Sequence, residues 1–146
     1  MFLRASKLLL MAAGLIQLVP YGRNHTNPAA AKEPAWNSPA TRELMRRACF
    51  DCHSNQTVWP WYSYVAPVSW LVQNDVDGGR QHLNFSEWDR PQRHAKDVAA
   101  QVKQGEMPLW FYLPMHPAAR LTAEEKRALI EGAERTLGPQ TTPEPR

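Results

Sequence analysis

Cys49-Phe50-Asp51-Cys52-His53 holds both cysteines of the chain and one of its five histidines. Two thiols two residues apart, with an imidazole directly after the second, match the attachment signature of c-type haem. The spacing has a physical reason. Each thiol adds to one vinyl group, so both sulfurs must reach neighbouring edges of one porphyrin. Near a helix end, two intervening residues give that reach. The next side chain points at the ring centre, which makes His53 the proximal iron ligand. Competing readings fit less well. A redox-active C-x-x-C follows a strand in a thioredoxin-like fold, and no strand pattern precedes Cys49. A zinc site needs more ligands at short spacing. His82 and His94 are 12 apart, and no third cysteine exists.

Haem iron has a sixth position, for which Met107, Met115, His116, His94 and His82 are the candidates. A methionine is more often a core filler than a ligand. Met107 lies in Gly105-Glu106-Met107-Pro108, 54 residues past His53 and ahead of the last helix. Glycine permits a turn there and proline fixes the chain after the thioether. That order suits a small monohaem cytochrome wrapping both faces of its ring. Met115-His116-Pro117 is the rival loop, and His116 would give a bis-histidine iron of lower potential.

Around this centre the pattern is helical. Ser38 is a good N-cap with Pro39 at the first helical position, opening a helix that runs through Leu44 and Met45 toward Cys49. Trp59-Pro60-Trp61 breaks regular structure. A helix over 68–76 puts Leu71, Val72 and Val76 on one face, and Gly78-Gly79 is expected to close it. A helix over 92–104 repeats Ala95, Val98, Ala99 and Val102 at helical spacing and ends at Gly105. Thr122 and Glu125 form a capping box for the last helix, with Leu129, Ala133 and Leu137 on one side. No stretch alternates strictly enough for a strand. The predicted fold is all-α, a small cytochrome c-like domain wrapped around one covalently attached haem.

At 146 residues the chain makes one modest domain. Its formal charge of +3 comes from Arg4, Lys7 and Arg23, since the remaining 14 basic and 14 acidic residues cancel. A nucleic-acid partner is therefore not expected. Arg4 and Lys7 precede an apolar run from Leu8 to Val19, interrupted by Gln17. Residues 1–23 read as a signal peptide or a membrane anchor that sends the rest across the inner membrane to the periplasm. Ala29-Ala30-Ala31 offers a cleavage pattern, though far from the run. Residues 24–37 read as a linker, 38–137 as the haem domain, and 138–146 as a disordered tail.

Further stretches carry a resemblance. Cys49 to Asn55, Trp59-Pro60-Trp61-Tyr62, Ala66-Pro67-Val68-Ser69, Asn84-Phe85-Ser86-Glu87-Trp88, Gly105-Glu106-Met107-Pro108 and His116-Pro117 resemble the bacterial haem-binding-domain family of monohaem c-type cytochromes. The resemblance spans about residues 27–130. It implies an exported, often membrane-anchored helical cytochrome with haem c on Cys49 and Cys52, His53 proximal and Met107 distal. Its anchors are usually longer than the apolar run found here.

The expected function is a periplasmic carrier of single electrons, working with a redox partner protein, rather than an enzyme. A haem-based peroxidase or gas sensor, which needs a labile sixth site, and a haem subunit of a larger membrane complex are the alternatives. Trp59, Trp61, Tyr62, Tyr64 and Trp70 suit either a haem wall or a core. Arg80 suits a propionate contact or, more simply, a solvated helix end. Glu124, Glu125, Lys126 and Arg127 read as a solvated helix face.

Overall fold

A computed structural model describes residues 2–138. The tail expected over 138–146 lies outside the described residues beyond Gly138. Six α-helices form among the described residues: α1 (Phe2–Ile16), α2 (Pro39–Ala48), α3 (Phe50–His53), α4 (Val68–His82), α5 (Val98–Gln104) and α6 (Ala123–Leu137). Short 3₁₀ turns lie at Trp61–Tyr64, Ala95–Asp97 and Pro117–Ala119. No strand is present among these residues, only an isolated bridge between Lys32 and Glu87. The all-α expectation holds.

Local chemistry sets several boundaries. The Ser38 side chain accepts the Thr41 amide at 3.1 Å, which caps α2 as its sequence predicts. Gly105, at φ 81°, ends α5 in the left-handed region. Thr122 and Glu125 form the reciprocal capping box of α6. The face that α6 buries carries Leu129, Ala133 and Leu137. These pack with Met45 of α2 and Val98 and Val102 of α5 into one core. An aromatic stack continues it: Phe50 lies on Phe85 at 5.5 Å, Trp36 tilts against both, and Phe85 stacks on Trp88 at 6.0 Å. Truncating a fully buried phenylalanine such as Phe50 costs about 3–5 kcal/mol, so this stack fixes where the cysteine motif begins.

Two expectations are corrected. α4 does not stop at Gly78-Gly79 but runs through both to His82. A Cβ on Gly79 would strike the Cys52 backbone. The glycine is there for a close helix crossing rather than for a terminus. The helix expected over 92–104 is a 3₁₀ turn followed by the shorter α5. Asp97, at the N-cap of α5, makes no capping bond and pairs with His94 at 3.2 Å instead.

Residues 24–37, read as a linker, lie along the domain. Ala31 and Lys32 amides donate to the Ser86 carbonyl, and the Trp88 amide donates to Lys32. Glu33 accepts two bonds from Arg42, at 2.7 and 2.6 Å, and one from Trp36 at 2.8 Å. Among the described residues no helix is long and apolar enough to cross a membrane.

Candidate functional site

α2 ends at Cys49, and α3 is a single helical turn that starts there. The Cys49 carbonyl accepts the amides of Cys52, at 3.3 Å, and His53, at 2.9 Å. That turn sets both thiols and the imidazole on one wall of a cavity of about 740 Å³. α4 forms the facing wall through Val68, Leu71, Val72, Asp75, Gly78 and Gly79. Val98 and Val102 of α5, with Phe85, add apolar surface. The 107–115 loop closes the remaining side with Met107, Leu109, Phe111, Tyr112 and Met115.

The imidazole is held in one orientation. His53 Nδ1 lies 3.0 Å from the Gly79 carbonyl and 3.1 Å from that of Leu83, so it donates to both. Nε2 then keeps the lone pair, the form in which imidazole ligates a metal. Burial pushes the His53 pKa down, against the pull of the two carbonyls, and so favours the neutral ring. Burial also pushes both thiols up to about 12, reinforced at Cys49 by Cys52 and at Cys52 by Asp75 and Asp51. Without a partner the sulfurs are therefore protonated, apolar groups at neutral pH.

The sequence-expected residues separate clearly. Cys49, Cys52, His53 and Met107 all line the cavity. Met107 is half-buried, and its amide and that of Glu106 donate to the Gln101 carbonyl, which ties the loop to the end of α5. Met115 also lines the cavity but is 58% exposed. His116 is not on the wall. Its ring stacks on Tyr112 at 3.7 Å, its Nδ1 donates to the Tyr112 carbonyl, and its Nε2 accepts from Tyr62 at 3.0 Å. His82 and His94 meet at the exposed edge of the cavity, with ring centroids 5.4 Å apart. No group of three or more metal-binding side chains occurs among the described residues. Trp61 and Tyr62 line the cavity, whereas Trp59 and Tyr64 enclose His25 away from it.

Arg80 is not a solvated helix end. It donates to the Ser54 and Thr26 carbonyls, to Asn27 and to Thr57, and so binds α4 to the chain leaving the cysteine motif. Glu124 and Arg127 are exposed, whereas Glu125 is half-buried and pairs with Arg47 at 2.8 Å. One connection escaped the sequence reading. Asp51, inside the motif, accepts the Tyr112 hydroxyl at 2.6 Å and the Val58 amide at 3.0 Å. This clasp joins the cysteine turn to the methionine loop. An acidic residue between the two thiols is its only trace in the sequence, since Tyr112 is 61 residues away. Burial and the Asp51 carboxylate raise the Tyr112 pKa far above that of an ordinary phenol.

A family model described as a haem-binding domain matches residues 11–135. The chain belongs to the haem-binding-domain family. No curated protein and no solved structure matches it. The residues of this haem-binding domain fit the group. The cavity volume lies in the range of pockets that enclose small molecules and cofactors. Its walls are mainly apolar, two thiols stand beside a single oriented imidazole, and glycines at 78 and 79 leave α4 without side chains opposite them.

Proposed function

We propose that this haem-binding protein is an exported monohaem c-type cytochrome that carries single electrons. Cys49 and Cys52 hold the porphyrin through two thioether bonds, His53 Nε2 is the proximal ligand and Met107 the distal one. The observation that carries the reading is the shared cavity wall of Cys49, Cys52 and His53, with His53 Nδ1 committed to the Gly79 and Leu83 carbonyls. Met107 is preferred to Met115 because it is the more buried of the two and its backbone is anchored on Gln101.

When bound, the haem supplies an iron that alternates between ferric and ferrous by accepting and passing on one electron. The chain's own residues orient and shield it. The Gly79 and Leu83 carbonyls fix the imidazole tautomer and raise its basicity. Val72, Val98, Val102 and Leu83 line the cavity and would exclude water from a bound ring, lowering the dielectric there. Asp51 and Tyr112 hold the methionine loop against the cysteine turn. His53 and Met107 would both hold the iron of a bound haem and so would leave no iron site open to a substrate. The chain therefore works as a carrier with a redox partner protein rather than as an enzyme. Arg4, Lys7 and the apolar run that follows support export to the periplasm, where c-type haem is attached.

Haem staining after denaturing electrophoresis tests the reading. Protein matured in a bacterium equipped for c-haem assembly should keep its stain after boiling. A stain that leaves with the denaturant would refute covalent attachment while leaving haem binding intact.

A further inference from the structure

The end of α4 and the turn before α5 bring two histidines together at the open edge of the cavity. His82 is the last residue of α4, and His94 directly precedes the Ala95–Asp97 turn. Their ring centroids are 5.4 Å apart, and both rings line the cavity while staying exposed. Each ring has one nitrogen committed. His82 Nδ1 donates to the Gly78 carbonyl at 2.8 Å, and His94 Nδ1 donates to the Asp97 carboxylate at 3.2 Å. A carbonyl and a carboxylate only accept, so each Nδ1 carries the proton and each Nε2 keeps a lone pair. Neither Nε2 has a hydrogen-bond partner among the described residues.

That pattern is the one metal-binding histidines adopt. A carbonyl or carboxylate on Nδ1 fixes the ring and raises the basicity of the other nitrogen. Asp97 serves His94 at the expense of its own helix, since it stands at the N-cap of α5 without a capping bond. The spacing agrees. Two imidazoles bound through Nε2 to one tetrahedral zinc, at about 2.0–2.1 Å each, have centroids roughly 5 Å apart. Electrostatics favour a cation as well. Among the described residues the cavity lining includes Asp51, Asp75 and Asp97 but no lysine or arginine. His82 lies in the last turn of α4, the negative end of the helix dipole. A bound haem would bring two further carboxylates, and Arg80, the one arginine of α4, is committed to four partners elsewhere.

We propose that His82 and His94 form a site for one divalent transition cation of the zinc and copper(II) class at the mouth of the cavity. The Nε2 atoms are its ligands, and the Gly78 carbonyl and Asp97 are positioning groups. With two protein ligands the remaining coordination positions belong to water, so the ion is exchangeable rather than a structural staple. Imidazole selects such ions over magnesium and calcium, which take oxygen ligands. The site is separate from His53, whose Nδ1 is held by the Gly79 and Leu83 carbonyls. It stands however haem is held. One consequence does rest on the haem reading: positive charge at the cavity mouth favours ferrous over ferric iron, so the ion raises the potential.

The full chain, matured with haem and freed of other metals by a chelator, is titrated with zinc in a calorimeter. One zinc per chain is expected, and excess magnesium should not displace it. His82→Gln and His94→Gln should each weaken binding by roughly tenfold or more, and the two together should abolish it. Asp97→Asn should weaken it by about 10–100-fold and leave the metal-free Tm and visible spectrum unchanged. A chain that takes up no zinc, or a double variant that binds it as wild type does, overturns the proposal. So does conversion of the metal-free haem from low to high spin in either single variant, because that imidazole would then belong to the iron. Zinc should raise the midpoint potential of wild type and not that of the double variant. An unmoved potential in zinc-loaded wild type overturns the link to the haem. If intact mass shows no attached haem, the same titration of the Cys49→Ala, Cys52→Ala chain, which lacks the competing thiols, decides the site by itself.

Discussion

Gly79→Ala tests how α4 is seated on the cysteine turn. The substitution favours helix by about 1 kcal/mol, since alanine loses less backbone freedom than glycine in a helix interior. Against this, the new methyl would lie 2.9 Å from the Cys52 carbonyl carbon and 3.0 Å from its Cβ, closer still to the carbonyl oxygen. The obstacle is backbone, so α3 or α4 must move. Overpacking of this kind costs about 1–3 kcal/mol, and an immovable neighbour places it at the upper end. The net loss is then about 2 kcal/mol, which for a domain of this size lowers Tm by roughly 6–9 °C. A second readout distinguishes this clash from general damage. The Gly79 carbonyl is one of the two acceptors of His53 Nδ1, so a displaced α4 should alter the visible spectrum at temperatures where the variant is still folded. Thermal unfolding by circular dichroism and absorbance of the haem-matured protein measures both. An unchanged or raised Tm would refute the close crossing, because helix propensity alone would then be acting.

Met107→Ala should abolish the weak near-infrared sulfur-to-iron band of the ferric protein and admit carbon monoxide, whereas Met115→Ala should do neither; the opposite pattern would move the distal ligand to Met115. Tyr112→Phe removes a charge-assisted bond to Asp51, and urea unfolding should show a loss of about 1.5–3 kcal/mol. The Arg42 guanidinium bonded to Glu33 holds its carboxyl below the ordinary value of 4.5, and burial opposes this only in part. A depressed carboxyl contributes stability above its unfolded pKa and loses it as pH falls through the folded one. Wild type should thus exceed Glu33→Gln by up to about 1 kcal/mol at pH 7, with the gap closing below about pH 4.5 in urea titrations across that range.

What the sequence reveals here is what neighbouring residues decide among themselves. Ser38 with Pro39, Thr122 with Glu125, and Gly105 mark helix ends because capping involves partners within four positions. Gly78-Gly79 reads locally as a helix stop, yet Gly79 is needed for contact with Cys52, 27 residues away. Arg80 reads as an exposed basic residue at the end of a helix, and its four partners come from two distant stretches. Residues 24–37, rich in proline and alanine, read as a linker because their backbone bonds to Ser86 and Trp88 leave no periodic trace. That Cys49, Cys52, His53 and Met107 line one cavity agrees with the spacing of the C-x-x-C-H motif and the methionine loop. The place of His116 off its wall leaves no local trace, since it depends on Tyr62 and Tyr112 holding the ring.

Covalent attachment of haem through Cys49 and Cys52 is the central claim, and an intact mass tests it most directly. Haem-matured wild type, unfolded in acid and organic solvent, should carry the mass of the chain plus one haem. Cys49→Ala and Cys52→Ala together should give the chain alone, even if the protein is coloured before unfolding. A wild-type chain that emerges from the same treatment at its bare mass would contradict the account.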